Sequence, residues 1–337
     1  MKTSENIGLK DFNTFHSKVK AQYFTRLGSM DDVVSTVSNF DKKIPLLVLG
    51  GGSNILFTKN FDGMVARMEM KGIEITDEDA DNVYIKAMAG ESWNDFVQFT
   101  LGSGLSGAET LIDIPGTVGA SPIQNIGAYG HEVAEIIHNV CCYHIPTHTT
   151  LTISNRDCHF GYRNSLFKQS MKGRVIITSV QYKLNKHRIQ EALYKDVEEW
   201  ITKKGKDRNS IHDIATAVRA IRKDKLPDPE IMGNAGSFFK NPLINNQQFF
   251  ALQKLFPDIP SYQAEGFQKK IPAAWLIDQC GWKGYRKGDT GVHARQPLVL
   301  VNFGNAQGSE IYDLAKQIRQ SVIDSFGISL DFEVNIL

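Results

Sequence analysis

The chain is poor in cysteine: four in 337 residues, with Cys141 and Cys142 adjacent and Cys158 and Cys280 isolated. No C-x-x-C pair is present, which excludes a dithiol redox or zinc motif and a disulfide-stapled secreted fold, so all four read as packing residues. The nine histidines show no H-E-x-x-H or comparable cluster, and no metal site is expected. A formal net charge of +1 offers nothing to a polyanion, so no nucleic-acid partner is expected. No run approaches the roughly 18 apolar residues of a membrane span. The opening Met1-Lys2-Thr3-Ser4-Glu5-Asn6 lacks the apolar core of a signal peptide, so a cytoplasmic location is expected. Internal repeats and low-complexity tracts are missing too.

What stands out instead is an uncharged, glycine-rich run, Pro115-Gly116-Thr117-Val118-Gly119-Ala120-Ser121-Pro122-Ile123-Gln124-Asn125-Ile126-Gly127-Ala128-Tyr129-Gly130. Glycine serves where backbone turns through positive φ or approaches a ligand closely. Such a run can aim successive backbone N–H groups at a phosphate without a lysine. Gln124 and Asn125 add amides able to read a neutral ring or a carbonyl. A second cluster, Gly50-Gly51-Gly52-Ser53-Asn54, follows the apolar strand predicted at Leu46-Leu47-Val48-Leu49 and precedes Ile55-Leu56-Phe57. No Gly-Lys-Ser/Thr ending marks a P-loop, and the spacing is not the G-x-G-x-x-G of a dinucleotide fold. Two phosphate nests in one chain suit a dinucleotide held by a different scaffold.

Length and apolar content predict two or three domains with ample cores. Helical spacing covers 31–40, with Ser29 as N-cap, and 93–99. Strands are expected at 83–87 and 175–184, the second half-buried and antiparallel. A helix over 214–225 ends at Leu226-Pro227-Asp228-Pro229, because proline cannot continue the ladder, and the main boundary is placed there. Beyond it are expected a helix at 273–280, a strand at 297–303 and a long helix at 309–326.

The two glycine clusters together resemble the flavin-binding half of the UDP-N-acetylenolpyruvoylglucosamine reductase family. The Gly50–Asn54 pattern is shared across the vanillyl-alcohol-oxidase-type flavoproteins; the 115–130 run is far more specific. Further ordered segments are similar to that family: Cys158-His159-Phe160-Gly161-Tyr162-Arg163-Asn164-Ser165, Gly233-Asn234-Ala235-Gly236-Ser237-Phe238-Phe239-Lys240-Asn241-Pro242, Ala273-Ala274-Trp275-Leu276-Ile277-Asp278-Gln279-Cys280-Gly281-Trp282 and Leu330-Asp331-Phe332-Glu333-Val334. The likeness runs from about residue 13 to 333. It implies an α+β fold: a vanillyl-alcohol-oxidase (PCMH)-type, two-part FAD-binding lobe over 1–226, with subdomains of about 1–75 and 76–226, plus a smaller α+β substrate-binding domain over 227–337.

The resemblance also implies the reaction of peptidoglycan precursor synthesis. NADPH reduces non-covalent FAD, and hydride then passes from flavin N5 to C3 of UDP-N-acetylglucosamine enolpyruvate, with a proton to C2. FAD contacts are implied at Gly50, Gly51, Gly52, Ser53, Asn54, Pro115, Gly116, Gly119, Ala120, Ser121, Gln124, Asn125, Gly127, Ala128, Tyr129, Gly130 and Ile177. Ser237 matches the proton donor; a serine hydroxyl works as an acid only when neighbours stabilise its departing charge. Arg163 matches the arginine that takes the substrate carboxylate and the developing enolate, for which a planar fork of donors is suited. Glu333 matches the C-terminal glutamate, brought to the active site by an alternating final strand that only a short tail would hold.

For the substrate, Arg219, Arg222 and Lys225 are spaced to share a helix face, and Arg222, Lys225, Asn241 and Gln296 are the implied contacts. Tyr194 resembles the tyrosine of the substrate-covering loop in one branch of the family, with Lys195 where glycine often follows. Asp289-Thr290 replace smaller residues, and the sequence supplies no physical account of them. With no separate nucleotide fold visible, NADPH and the sugar nucleotide are expected to alternate in one cleft of a monomer. Two other readings stand beside this one: an oxygen-using oxidase of the wider flavin fold, and a non-catalytic flavin or nucleotide binder.

Overall fold

A computed structural model describes residues 3–41, 43–187, 193–264 and 266–337. Met1 and Lys2, at the head of the leader reading, lie outside the described residues, as does Ala192 before the Tyr194 segment. The chain divides into two compact units: Met1–Ile7, Ala21–Gly52 and Phe61–Asp224 make the first, and Gly8–Lys20, Ser53–Asn60 and Lys225–Leu337 the second.

The first unit is built on two sheets. One holds Ser4–Gly8, Lys20–Leu27, Phe61–Met68 and Leu46–Leu49 in that order, the last three parallel. The other is antiparallel, in the order Thr149–Ser154, Ile137–His144, Val175–Asn185, Asn82–Met88, Ile73–Glu78. Val175–Asn185 was expected half-buried. It lies in the middle of its sheet, buried from Ile176 to Val180 and then alternating between buried and more exposed residues to Asn185, as that expectation has it. Helix α1 (Met30–Asn39) starts where expected: Ser29 accepts from Asp32 N–H while the Asp32 carboxylate accepts from Ser29 N–H, a reciprocal capping box. Helix α2 (Trp93–Gly102) sends Trp93, Phe96, Val97 and Leu101 into the core, and the Trp93 indole donates to Leu111 O at 2.8 Å. Helices α3 (Lys195–Lys204) and α4 (Ile211–Lys225) complete the unit.

The second unit sets α5 (Asn246–Leu255), α6 (Ala273–Gln279) and α7 (Gly308–Phe326) with a four-stranded sheet, a three-stranded sheet and the pair Ile55–Leu56 with Asn335–Ile336. The four-stranded sheet is ordered Gly233–Ser237, Val299–Asn302, Thr290–Val292, Arg286–Lys287, the three-stranded one Leu243–Asn245, Gln268–Lys270, Tyr262–Gln263. Two segments counted by sequence with the first lobe belong here, for packing reasons. Phe15 is fully buried against Phe238 at 6.3 Å between ring centroids, and its carbonyl accepts from Asn302 Nδ2 at 2.8 Å. Leu56 lies in the same core, and the Phe57 carbonyl approaches Gly308 so closely that no side chain would fit there. The division therefore cuts the Gly50-Gly51-Gly52-Ser53-Asn54 cluster after Gly52.

The Asp289-Thr290 pair gains an account. Asp289 Oδ2 accepts from the Asn305 N–H at 2.8 Å and its carbonyl accepts from Phe303 N–H at 2.8 Å, so it fixes the turn after Val299–Asn302. Thr290 is buried and pairs with Asn302.

Candidate active site

Within the first unit the glycine clusters touch. A Cβ on Gly51 would lie 2.8 Å from Gly116 Cα, and one on Gly50 would lie 2.6 Å from Thr117 Oγ1. The Arg67 guanidinium donates to the Gly50 carbonyl, and burial holds its pKa below the ordinary arginine value. Gly116 O accepts from Trp93 N–H at 3.1 Å, and Val118 and Gly119 donate to Glu91 O and Ala89 O at 2.9 Å each. Gly119 is glycine because a Cβ there would sit 2.5 Å from that of Ala89. Ala120 closes the 3-10 turn Val118–Ala120, and Pro115 lies exposed before it.

Beyond that turn the polar side chains are used internally. The Ser121 hydroxyl donates to Val118 O at 2.8 Å and lies 2.9 Å from the Tyr182 hydroxyl, whose pKa burial raises. The Asn125 amide, expected to face a ligand, also bonds within the chain: Nδ2 donates to Glu132 Oε2 at 2.6 Å and Gly161 O at 3.2 Å, and Oδ1 accepts from Ala134 N–H at 3.0 Å. The residue is 1% exposed and sits at φ 49°, where asparagine tolerates the left-handed region better than most residues. An amide so engaged shapes the loop. Gln124 stands half-buried just before it. Gly127–Ala128 then pairs with His131–Glu132 through Tyr129 and Gly130, at φ 52° and 90°, the double positive φ of a tight hairpin turn. Ile177 is buried in the central strand opposite Cys142.

Arg163 lies in the same unit, half-buried at φ 52° in a turn closed by Gly161 and Asn164, whose N–H groups donate to each other's carbonyls at 3.1 and 3.0 Å. Its guanidinium donates from Nη2 to Gly127 O at 2.8 Å and from Nη1 to Asn125 O at 3.4 Å, and stacks 5.4 Å from the Tyr162 ring centre. The end of the glycine-rich loop thus holds the arginine.

The basic stripe divides by environment. Arg219 Nε and Nη2 donate to Asp113 at 3.0 and 3.4 Å, so this arginine is already matched by a carboxylate. Arg222 is half-buried; burial lowers its pKa, against the opposing pull of Tyr129 and Asp113. Lys225 is exposed at the end of α4. Tyr194 is the N-cap of α3, 38% exposed, with its ring edge-on to Tyr129 at 5.8 Å.

In the second unit Ser237 ends a bulged strand. Gly236 at φ 66° breaks the pairing between Asn234 and Ser237, its N–H donates to Asn234 Oδ1 at 3.0 Å, and Ser237 rejoins opposite Val299. Asn234 is pinned in turn by donating to Pro227 O and Met232 O at 3.2 and 2.8 Å. No side-chain hydrogen bond of Ser237 is found among the described residues, and a Cβ on Gly236 would meet open space. Glu333 lies on the neighbouring segment: its N–H donates to Phe238 O at 2.9 Å beside the Phe239–Phe332 bridge. Its expected alternating strand is absent. Glu333 falls half-buried between that bridge and the two-residue strand Asn335–Ile336, with its carbonyl accepting from Asn54 Nδ2 at 3.2 Å. The tail is firmly held. Asn335–Ile336 runs parallel to Ile55–Leu56, and Leu337 O accepts from Thr58 N–H at 2.8 Å and Thr58 Oγ1 at 2.6 Å. Asn241 Oδ1 accepts from Ala273 N–H at 2.9 Å at the start of α6, and Gln296 O accepts from Val299 N–H at 3.0 Å.

Residues 21–144 match the FAD binding domain family, and 228–337 match the C-terminal domain of UDP-N-acetylenolpyruvoylglucosamine reductase. The chain is 43% identical over 339 residues to the reductase of that name from Flavobacterium johnsoniae, covering 100% of both chains. It belongs to the UDP-N-acetylenolpyruvoylglucosamine reductase family. The reductase from Chromobacterium violaceum is 44% identical with 98% of each chain covered. The crystal structure of the reductase from Thermus caldophilus matches with a TM-score of 0.70 at 23% identity, over 100% of this chain and 99% of that one, and so shares the fold. The family is one of oxidoreductases, and its fold here is the two-part FAD-binding lobe with a smaller α+β domain.

Sequence reading missed the residues that brace these sites: Arg67 on Gly50, Tyr182 on Ser121, Asp113 on Arg219 and Glu132 on Asn125. Only Glu132 carried a signal, as the first acid to follow the uncharged run.

Proposed function

We propose that this chain reduces UDP-N-acetylglucosamine enolpyruvate to UDP-N-acetylmuramate at the expense of NADPH, as a cytoplasmic monomer. The observation that carries the reading is the end-to-end identity to reductases of that name, together with a Ser237 hydroxyl presented by a glycine bulge. FAD fits the first unit. Gly50, Gly51 and Gly116 bring two turns without acidic side chains into backbone contact, and turns of that kind can aim N–H groups at a pyrophosphate. Bound there, FAD would supply hydride at N5 for C3 of the enolpyruvyl group after reduction by NADPH.

The chain's own residues do the rest. Arg163 would take the substrate carboxylate in its planar fork and stabilise negative charge as it develops. Ser237 would give its hydroxyl proton to C2. General acid catalysis of that kind contributes roughly 10²- to 10⁴-fold. Glu333, on the segment whose N–H bonds Phe238 O next to Ser237, would polarise the donor. Arg222, Lys225, Asn241 and Gln296 would hold the sugar nucleotide, and Tyr194 would cover it, with NADPH using the same cleft in turn. Initial-rate kinetics test the shared cleft: parallel lines with inhibition by excess substrate are expected, and a stable ternary complex contradicts it. An oxidase would instead take up oxygen in proportion to substrate.

A further inference from the structure

The glycine-rich loop does two jobs in the first unit: its first half, at Gly116 and Gly119, packs backbone closely against backbone. Its second half ends on Arg163. Two carbonyl oxygens, of Asn125 and Gly127, receive the guanidinium at 3.4 and 2.8 Å. Both carbonyls belong to a segment whose course is set by one amide side chain. Asn125 Nδ2 ties the loop to Gly161, two residues before Arg163, while Oδ1 ties it to Ala134. The remaining Nδ2 bond, the shortest at 2.6 Å, runs to the Glu132 carboxylate across the hairpin. Glu132 itself is set by its N–H donating to Glu135 Oε1 at 2.8 Å. A Cβ on Gly127 would lie 3.0 Å from Glu132 Cγ and 3.1 Å from Arg163 Nη1, so the carboxylate arm and the guanidinium flank the same glycine.

We infer that Glu132, acting through Asn125, is a positioning residue for Arg163. The physical argument is one of conformational cost. Arg163 and Asn125 both sit at positive φ, near 50°, which side chains other than glycine rarely adopt and which persists only when surroundings impose it. A charge-assisted bond from an amide to a carboxylate is among the stronger hydrogen bonds, and it locks the orientation of the amide and so of the Asn125 carbonyl. With that bond gone, Asn125 can swing, its carbonyl leaves Nη1, and the guanidinium loses the plane in which a carboxylate would be gripped. The first half of the loop, at Gly116 and Gly119, is held separately by Trp93, Glu91 and Ala89. Loss of Glu132 therefore spares the glycine turns and disturbs the arginine.

The inference rests on the role proposed for Arg163, and its test separates the two. Glu132→Ala, Glu132→Gln and Arg163→Lys are prepared singly, with Glu132→Ala also combined with Arg163→Lys. Each is bleached anaerobically with NADPH and then reoxidised with UDP-N-acetylglucosamine enolpyruvate. Glu132→Ala is expected to keep its flavin and bleach within about twofold of the parent, while reoxidation slows by about 10- to 100-fold, the scale of a small misplacement of a reacting group. Glu132→Gln, whose amide oxygen still accepts from Asn125, is expected to restore most of that rate. In the Arg163→Lys background, removal of Glu132 is expected to cost little more, because neighbours acting as one unit are not additive. If Glu132→Ala does not fold, Glu132→Asp, which keeps the charge but is one methylene short, carries the same comparison. Normal reoxidation of Glu132→Ala, equal slowing of both steps, or full additivity with Arg163→Lys overturns the inference. Normal reoxidation of Arg163→Lys itself removes the role of Arg163, and the inference with it.

Discussion

Gly51 and Gly116 lie so close that a Cβ on the first would stand 2.8 Å from the Cα of the second. Neighbours in sequence they are not; the fold brings one turn after a parallel strand onto another that follows a 3-10 segment. This backbone contact defines the cradle proposed for FAD, and the only residue that permits it is one with no side chain.

Gly51→Ala tests the cradle. The methyl group meets backbone that cannot rotate away, and overpacking of this kind costs about 1–3 kcal/mol. Purified Gly51→Ala is expected to carry less flavin per chain than the parent, read as the visible flavin absorbance relative to the protein absorbance. Full flavin occupancy removes this contact from the binding argument.

Ser237→Ala separates the two half-reactions. Flavin reduction by NADPH is expected at the parent rate, and reoxidation by the enolpyruvyl substrate is expected to fall by roughly 10²- to 10⁴-fold, the worth of a positioned general acid. Equal slowing of both steps would remove Ser237 from its assigned role.

The C-terminal tail predicts a stability effect. Thr58 Oγ1 donates to Leu337 O at 2.6 Å, alongside the parallel pairing of Asn335–Ile336 with Ile55–Leu56. Thr58→Val is expected to cost about 1 kcal/mol, and removal of residues 335–337 more, with slower substrate turnover because Glu333 loses its anchor. Thermal melts and the reoxidation rate read both; an unchanged melt and rate for the truncated chain contradict the anchoring.

Two thiols predict a pH dependence. Burial, and then the neighbouring Cys141, pushes the Cys142 thiol up to about 11 from its ordinary 9.0; burial, then Cys142 and Asp157, pushes Cys158 up to about 12. The folded state holds these protons where the unfolded chain releases them. Their contribution to stability is therefore intact below pH 9 and is lost as pH rises from 9 towards 12. Denaturant melts at rising alkaline pH are expected to show falling midpoints, less steeply in Cys158→Ala. Iodoacetamide at mildly alkaline pH is expected to label the half-buried Cys141 and Cys280 before Cys142 and Cys158. Equal labelling contradicts their burial.

Much of this was legible because it is local. Ser29 at the start of α1 and the prolines after Lys225 act on their own turn, so sequence places them well. The glycine clusters were legible as close-approach sites, though not that they approach each other. What stayed hidden depends on distant partners. Asn125 looks the same whether its amide meets a ligand or Glu132, and only the hairpin through Tyr129 and Gly130 decides. Phe15 and Leu56 are ordinary apolar residues until the second unit's core claims them. Glu333 seemed poorly held because its support, Asn54 and Thr58, lies far back in the chain.

The most direct test of the central claim is a two-step anaerobic spectrum of the purified protein. One equivalent of NADPH is expected to bleach the bound flavin, and UDP-N-acetylglucosamine enolpyruvate is expected to return the oxidised bands rapidly without oxygen. A protein that bleaches but regains its colour only in air contradicts the proposed substrate, and one that takes up no FAD contradicts the account as a whole.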